Sequence, residues 1–243
     1  LLLPSAGLAA DEAVYSIGMG NSTISNFPEA KKIAEKIHAA RATTLYCRCR
    51  YAGKSVDWES CGYKVARDKK RAKRIEWEHV VPAEAFGQSF VEWREGSPKC
   101  IRKGKRFRGR KCAEKNPEFS RMEADLYNLF PEVGEVNGLR SNFSMAEVSA
   151  LGKFAGITFG KCRARIFQSK FEPMDFAKGT VARAYLYMDY AYRGHGIISD
   201  KNRKLFEAWD KLHPVEPWEC DLYREIKKAQ KNENPILENR CRS

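Results

Sequence analysis

The sequence contains no Cys-x-x-Cys pair, no run near the roughly 18 apolar residues of a membrane-spanning helix, and no Gly/Ser- or Pro-rich stretch dividing two domains. A His-Glu-x-x-His zinc motif is also absent, and Gly53-Lys54-Ser55 resembles a phosphate-loop ending but has Arg48 where the leading glycine must stand. These absences argue against a zinc cage, a P-loop nucleotide enzyme and stable membrane insertion. Acidic residues are the minority charge: 31 Asp and Glu face 44 Lys and Arg, a formal net charge of +13. Such an excess attracts polyanions, whether nucleic acid, an anionic membrane surface or an acidic polysaccharide.

With 243 residues and 43% hydrophobic content, the chain can bury a large core as one domain. Its eight cysteines (47, 49, 61, 100, 112, 162, 220 and 241) are even in number and dispersed, which reads as disulfides in an oxidising compartment rather than a metal cluster. Cys47-Arg48-Cys49 is too tight for zinc spacing. Eight cysteines allow about a hundred pairings, so connectivity is open. Leu1 to Ala10 resembles the end of a secretory signal, with Gly7 and Ala9 as small residues before a cut or Ala10 as the last residue removed. Residues 1–13 are expected to be a signal remnant and 14–243 the folded domain, a monomer located in the periplasm or secreted.

Asn26, Pro28 and Glu29 predict a helix start, with Ala30, Ile33, Ala34 and Ile37 on one face and His38 as a structural residue beside it. Cysteines and aromatics between Leu45 and Val65 predict short, irregular strands. Two basic clusters follow. Lys64, Arg67, Lys69, Lys70, Arg71, Lys73 and Arg74 form the first, equally readable as a solvated face. Lys99, Arg102, Lys103, Lys105, Arg106, Arg108, Arg110 and Lys111 form the second; a Cys100–Cys112 bond would constrain it as a phosphate clamp. A helix is expected from Pro117 through Met122 and Leu126, with Gly134 and Gly138 punctuating the segment that ends near Asn142. Val181 to Met188 reads as a helix closing at Gly194, and Ser199 caps another carrying Leu205, Trp209 and Leu212. His195 and His213 fall in loops and receive no catalytic role.

Hydrolysis of a phosphodiester needs an activated water, a cation to offset phosphate charge and a means of stabilising the leaving 3′ oxygen. Imidazole is mostly neutral at pH 7 and suits the first task; a carboxylate and an amide oxygen are hard donors suited to Mg²⁺. Glu78-His79 and Asn137 supply that set. Neighbours on a regular strand point to opposite faces, so Glu78 and His79 share a site only near a bend or strand end, which Pro82 makes plausible.

Arg74-Ile75-Glu76-Trp77-Glu78-His79-Val80-Val81-Pro82-Ala83, Met122 to Leu129, and Gly134-Glu135-Val136-Asn137-Gly138 through Phe143 closely resemble the bacterial endonuclease I family of periplasmic and secreted nucleases. The likeness extends through Cys61-Gly62-Tyr63, Ala184 to Met188 and Trp218-Glu219-Cys220. It implies an α+β domain, mixed α/β in content, with a ββα-metal active site related to the HNH nucleases. By the same likeness, His79 is the general base, Glu78 and Asn137 hold one Mg²⁺ (Mn²⁺ or Ca²⁺ as substitutes), and Asn128 orients His79 through its ring. An arginine near the scissile phosphate is matched by Arg110, with Arg108 as the alternative. The products carry 5′ phosphates. Tyr127 stands where the family usually has His, and Leu139 where it more often has Asp.

The expected partners are the phosphate backbones of DNA and RNA, contacted without a base code by Arg74, Lys103, Lys105, Arg106, Arg108 and Lys111. A non-catalytic basic protein coating nucleic acid would explain the charge, disulfides and export, but not the Glu-His and Asn motifs. A phosphatase for small esters fits the long basic clusters poorly.

Overall fold

The computed structural model describes residues 19–148 and 156–242 of a mixed α/β, disulfide-linked single domain. The expected signal remnant at 1–13 lies outside the described residues. The chain opens with α1 (Phe27–His38), capped by the Asn26 side chain, which accepts the Glu29 backbone N–H at 3.0 Å. Glu29 reaches back one residue farther than a capping box requires, accepting from the Ser25 N–H and hydroxyl. A two-residue hairpin of β1 (Tyr51–Ala52) and β2 (Ser55–Val56) and the turn helix α2 (Lys69–Ala72) lead into β3 (Ile75–His79). Short helices α3 (Ala83–Gly87) and α4 (Val91–Arg94) follow, then a hairpin of β4 (Ile101–Arg102) and β5 (Lys105–Arg106), α5 (Arg110–Ala113) and α6 (Pro117–Glu123).

β6 (Leu129–Val133) pairs antiparallel with β3, from Ile75 opposite Val133 to His79 opposite Leu129. α7 (Gly134–Arg140) begins without a loop and lies along the free edge of β3. There Asn137 donates to the Trp77 carbonyl at 3.3 Å and Arg140 to the His79 carbonyl at 3.0 Å, satisfying edge groups that a third strand would otherwise take. The remaining elements make a scaffold. β7 (Ser144–Met145), β8 (Ile157–Phe159), β9 (Cys162–Phe167) and β10 (Lys170–Glu172) form a sheet in the order β7-β10-β9-β8. α8 (Asp175–Ala191) is packed by α9 (Asp200–Leu212) and α11 (Pro235–Glu238), and its Arg183 pairs with Glu219 of α10 (Pro217–Gln230).

Three sequence expectations change. The helix from Pro117 stops at Glu123 rather than reaching Leu126, because the Asp125 carboxylate accepts the Tyr127 N–H and is itself held by Tyr187, Tyr192 and Gln230. Gly134 and Gly138 lie inside α7 instead of breaking the chain. Leu212, at the last turn of α9, is 71% exposed, whereas Trp209 is buried as expected.

The four disulfides are Cys47–Cys162, Cys49–Cys61, Cys100–Cys112 and Cys220–Cys241. Cys47–Cys162 spans 115 residues and ties the segment after α1 to β9. Chain entropy makes its removal the costlier loss: a Cys47→Ala/Cys162→Ala variant is expected to lose about 4–5 kcal/mol in denaturant unfolding, against about 3 kcal/mol for Cys49 and Cys61. Equal losses would refute the loop-length account.

His38 is structural, as the sequence suggested: buried at the end of α1, its Nε2 donates to the Leu129 carbonyl at 3.2 Å, and it packs against Trp77 and Phe130. Burial pushes its pKa down to about 4 from an ordinary 6.5. The unfolded chain therefore binds the proton that the folded chain refuses between those values. This contribution to stability, about 3 kcal/mol, is present above pH 6.5 and lost as pH falls toward 4. His38→Gln should remove that part of the pH dependence; an unchanged slope between pH 4 and 6.5 would contradict it.

Candidate active site

A cleft of about 950 Å³ opens at the end of β3 and contains both Glu78 and His79 on its walls. The strand ends at His79, so the two neighbours reach one cavity from opposite sides of the terminating chain, the geometry their adjacency required.

His79 is 7% exposed, and its Nε2 lies 2.8 Å from the Glu123 carbonyl oxygen. A carbonyl only accepts, so Nε2 carries the proton and the lone pair belongs to Nδ1. The carbonyl is available because Glu123 ends α6, where helical carbonyls lose their intrahelical donors. Burial pushes the imidazole pKa down to about 3, with Arg110 adding to the effect, so the ring is neutral at ordinary pH. Phe27 flanks it with ring centroids 4.7 Å apart.

The expected contact between Asn128 and the His79 ring is replaced by another. Asn128 accepts the Val81 N–H at 2.7 Å and donates to the Val81 carbonyl at 3.0 Å, while its own carbonyl accepts the Val80 N–H at 3.1 Å. It continues the β3–β6 ladder past His79↔Leu129, so it fixes the chain carrying the imidazole instead of the ring. The ring's proton is already committed to Glu123.

Glu78 is 2% exposed. Its Oε1 accepts from the Tyr46 hydroxyl at 2.9 Å and faces Arg140 Nη1 at 3.0 Å. Burial raises the carboxyl above its ordinary range against the pull of Arg140 and Tyr46. Burial alone would lower the Arg140 guanidinium, but Glu78, Tyr46 and Tyr185 together outweigh it and keep it charged. Arg140 also donates to the carbonyls of His79 (3.0 Å) and Val80 (2.6 Å), joining Glu78 to the chain around His79. Tyr46 immediately precedes Cys47, which is bonded to Cys162, and Arg140 lies one turn beyond Asn137. Neither was assigned a role from the sequence; the spacing on α7 was the available signal for Arg140.

Arg110 borders the cleft; its Nε is hydrogen-bonded to the Glu123 carboxylate, and its guanidinium lies 5.4 Å from the Phe27 ring centre. Arg108 turns away to the Arg94 carbonyl and is not on the cleft wall. Glu123, also unassigned from the sequence, thus orients two groups: His79 through its main chain and Arg110 through its side chain. Arg74 is on the wall, whereas Lys103, Lys105 and Arg106 project on the exposed β4–β5 hairpin and Lys111 pairs with Glu114. The loop expected to clamp phosphate therefore meets the cleft at its base, through Arg110. Lys31, Lys32 and Lys54 line the cleft from three-dimensional neighbours that no sequence run announced. Tyr127 and Leu139, the two departures from the family pattern, are off the cleft wall; Tyr127 packs against Tyr187 and Tyr223.

Among the described residues no three His, Cys, Asp or Glu side chains gather as a metal cage. A sparser donor set is present. Asn137 turns its Nδ2 to the Trp77 carbonyl, and its Oδ1 and the Oε2 of Glu78 have no hydrogen-bond partner among the described residues. One carboxylate and one amide oxygen fit a hard cation that keeps most of its waters.

Residues 22–241 match the Endonuclease I family. An extracellular deoxyribonuclease of Aeromonas hydrophila is 40% identical over 226 residues, covering 90% of each chain. A periplasmic deoxyribonuclease of the same organism is 39% identical over 248 aligned residues, covering 99% of this chain and 92% of the relative. Endonuclease-1 of Buchnera aphidicola is 39% identical over 225 residues, covering 90% and 83%.

Proposed function

The chain belongs to the endonuclease I family, and from that kinship we propose that it hydrolyses phosphodiester bonds of DNA and RNA with little sequence preference, through His79 and one Mg²⁺-type cation. The protein is an exported nuclease: four disulfides require an oxidising compartment, and the relatives named above include extracellular and periplasmic proteins. On this reading β3, β6 and α7 are the two strands and helix of a ββα-metal site.

The observation that carries the reading is the neutral His79 with its Nδ1 lone pair left free by the Glu123 carbonyl. Nδ1 takes the proton of an attacking water. Arg110, oriented by Glu123 through Nε, offers its terminal N–H groups to a phosphate oxygen. Glu78 and Asn137 would hold the cation, and Tyr46 and Arg140 fix Glu78 in place. When bound there, the cation supplies charge compensation for the phosphate and an acidic water for the leaving 3′ oxygen. The 5′ phosphate remains on the product. Recognition runs through the sugar-phosphate backbone, since the wall cations carry no base code.

Supercoiled DNA and RNA digested with and without EDTA, then with Mg²⁺, Mn²⁺ or Ca²⁺ restored, test this reading. Cleavage should vanish in EDTA and return with Mg²⁺. Full activity in EDTA would refute the cation; intact RNA beside cut DNA would confine the substrate to DNA.

A further inference from the structure

Beyond the reacting groups, the same strand face carries a second charged cluster. Glu76 lies two residues before Glu78 and therefore on the same face of β3, roughly 6.6 Å away along the strand. Its carboxylate holds two arginines. Arg71 binds it in a fork, through Nη2 to Oε2 and Nε to Oε1 at 3.1 Å, and Arg74 Nη2 reaches Oε1 at 2.7 Å. Two cations on one anion leave a net positive charge on the cleft wall, with guanidinium N–H groups to spare. All three residues are partly exposed there: 35% for Arg71, 42% for Arg74 and 22% for Glu76.

The backbone is cut to fit this cluster. A Cβ on Gly138 would stand 1.8 Å from Arg71 Nη1, and one on Gly134 would stand 2.7 Å from the Arg71 carbonyl. Glycine inside a helix costs about 1 kcal/mol relative to alanine, yet α7 has it on both sides of Asn137, where α2 brings Arg71 down onto the helix. The arginine is thus seated beside Asn137 by steric exclusion as well as by charge.

The geometry points to Arg71 and Arg74, yoked by Glu76, as a binding subsite for the phosphate next to the scissile one on the same strand. The separation of Glu76 and Glu78 is comparable to that of successive phosphates along a nucleic-acid strand. The inference rests on the nuclease reading and assigns these residues a task in binding, not in bond cleavage. The subsite makes the enzyme prefer chains with a charged neighbour beside the cut over an isolated diester.

The test uses single-stranded DNA, which removes the complementary strand as a source of phosphate. One linkage is an ordinary phosphodiester, and the linkages on either side are phosphorothioates, which keep the charge, or methylphosphonates, which lose it. The intact protein with Mg²⁺ is expected to cut the charged-flank substrate with a kcat/KM about tenfold or more higher, mainly through KM, and the effect should come from one side when each flank is changed singly. In Arg71→Met/Arg74→Met the ratio should fall below about twofold, and Gly138→Ala should also reduce it by displacing Arg71. Because both substrates meet the same protein, a general loss of folded enzyme cancels in the ratio; should the double variant not fold, Arg71→Met and Arg74→Met singly give the same reading. A wild-type ratio near one, or a ratio unchanged by the substitutions, overturns the subsite while leaving the nuclease intact. No cleavage of the single phosphodiester by the wild type, with Mg²⁺ present, would overturn the nuclease reading and the subsite with it.

Discussion

Replacing His79 by alanine is expected to slow plasmid nicking by about 10²–10⁴-fold, the range that a positioned general base contributes, while DNA binding stays within a few fold. The first half follows from the state of the ring. Nε2 is committed to the Glu123 carbonyl, burial holds the imidazole neutral, and no other histidine shares the cleft wall. The second half follows from the cations. Lys31, Lys32, Lys54, Arg71 and Arg74 line the cavity without contacting His79, so the attraction for phosphate survives. Supercoiled plasmid assayed in Mg²⁺, with filter binding in EDTA as the companion measurement, separates the two. Cleavage at the wild-type rate would remove His79 as the base; loss of binding and cleavage together would make His79 part of the binding surface or the fold instead.

Arg140→Met should cost roughly 5 kcal/mol of stability or more and abolish cleavage. Removing one partner of a buried ion pair leaves an uncompensated charge, typically a loss of about 3–5 kcal/mol. The carbonyls of His79 and Val80 lose their donors as well, at about 1 kcal/mol or more each. Since Arg140 is 1% exposed, solvent does not replace those contacts. Adding Glu78→Gln to Arg140→Met removes the stranded charge, so the double variant should regain part of the stability in urea unfolding but none of the activity. A single variant as stable as the wild type would show that the pair is not what holds the strand end.

The local elements were legible where side chains announce them. Asn26 capped α1 and Ser199 capped α9 as expected, since a side-chain oxygen beside a periodic apolar run is a sequence-level signal. Gly134 and Gly138 misled in the other direction: they read as breakers, yet both lie in a helix and are glycine because Arg71, more than sixty residues upstream, occupies the space a Cβ would need. Asp125 ended a helix early because, besides the neighbouring Tyr127 N–H, three partners from distant segments gather on its carboxylate. Such contacts leave no trace in local composition.

For the site the division is similar. The sequence by itself determined the family, the oxidising compartment and the chemical inventory: a carboxylate and an imidazole at a strand end, an amide oxygen downstream and an excess of cations. Those depend on residue types and spacing, which are written in the chain. The tertiary structure alone decided that the Glu123 carbonyl, not Asn128, orients His79, that Arg140 and Tyr46 hold Glu78, and that the basic hairpin meets the cleft only at its base. The reason is physical: a main-chain carbonyl looks the same at every position, and a buried charge is tolerable only where folding delivers its partner.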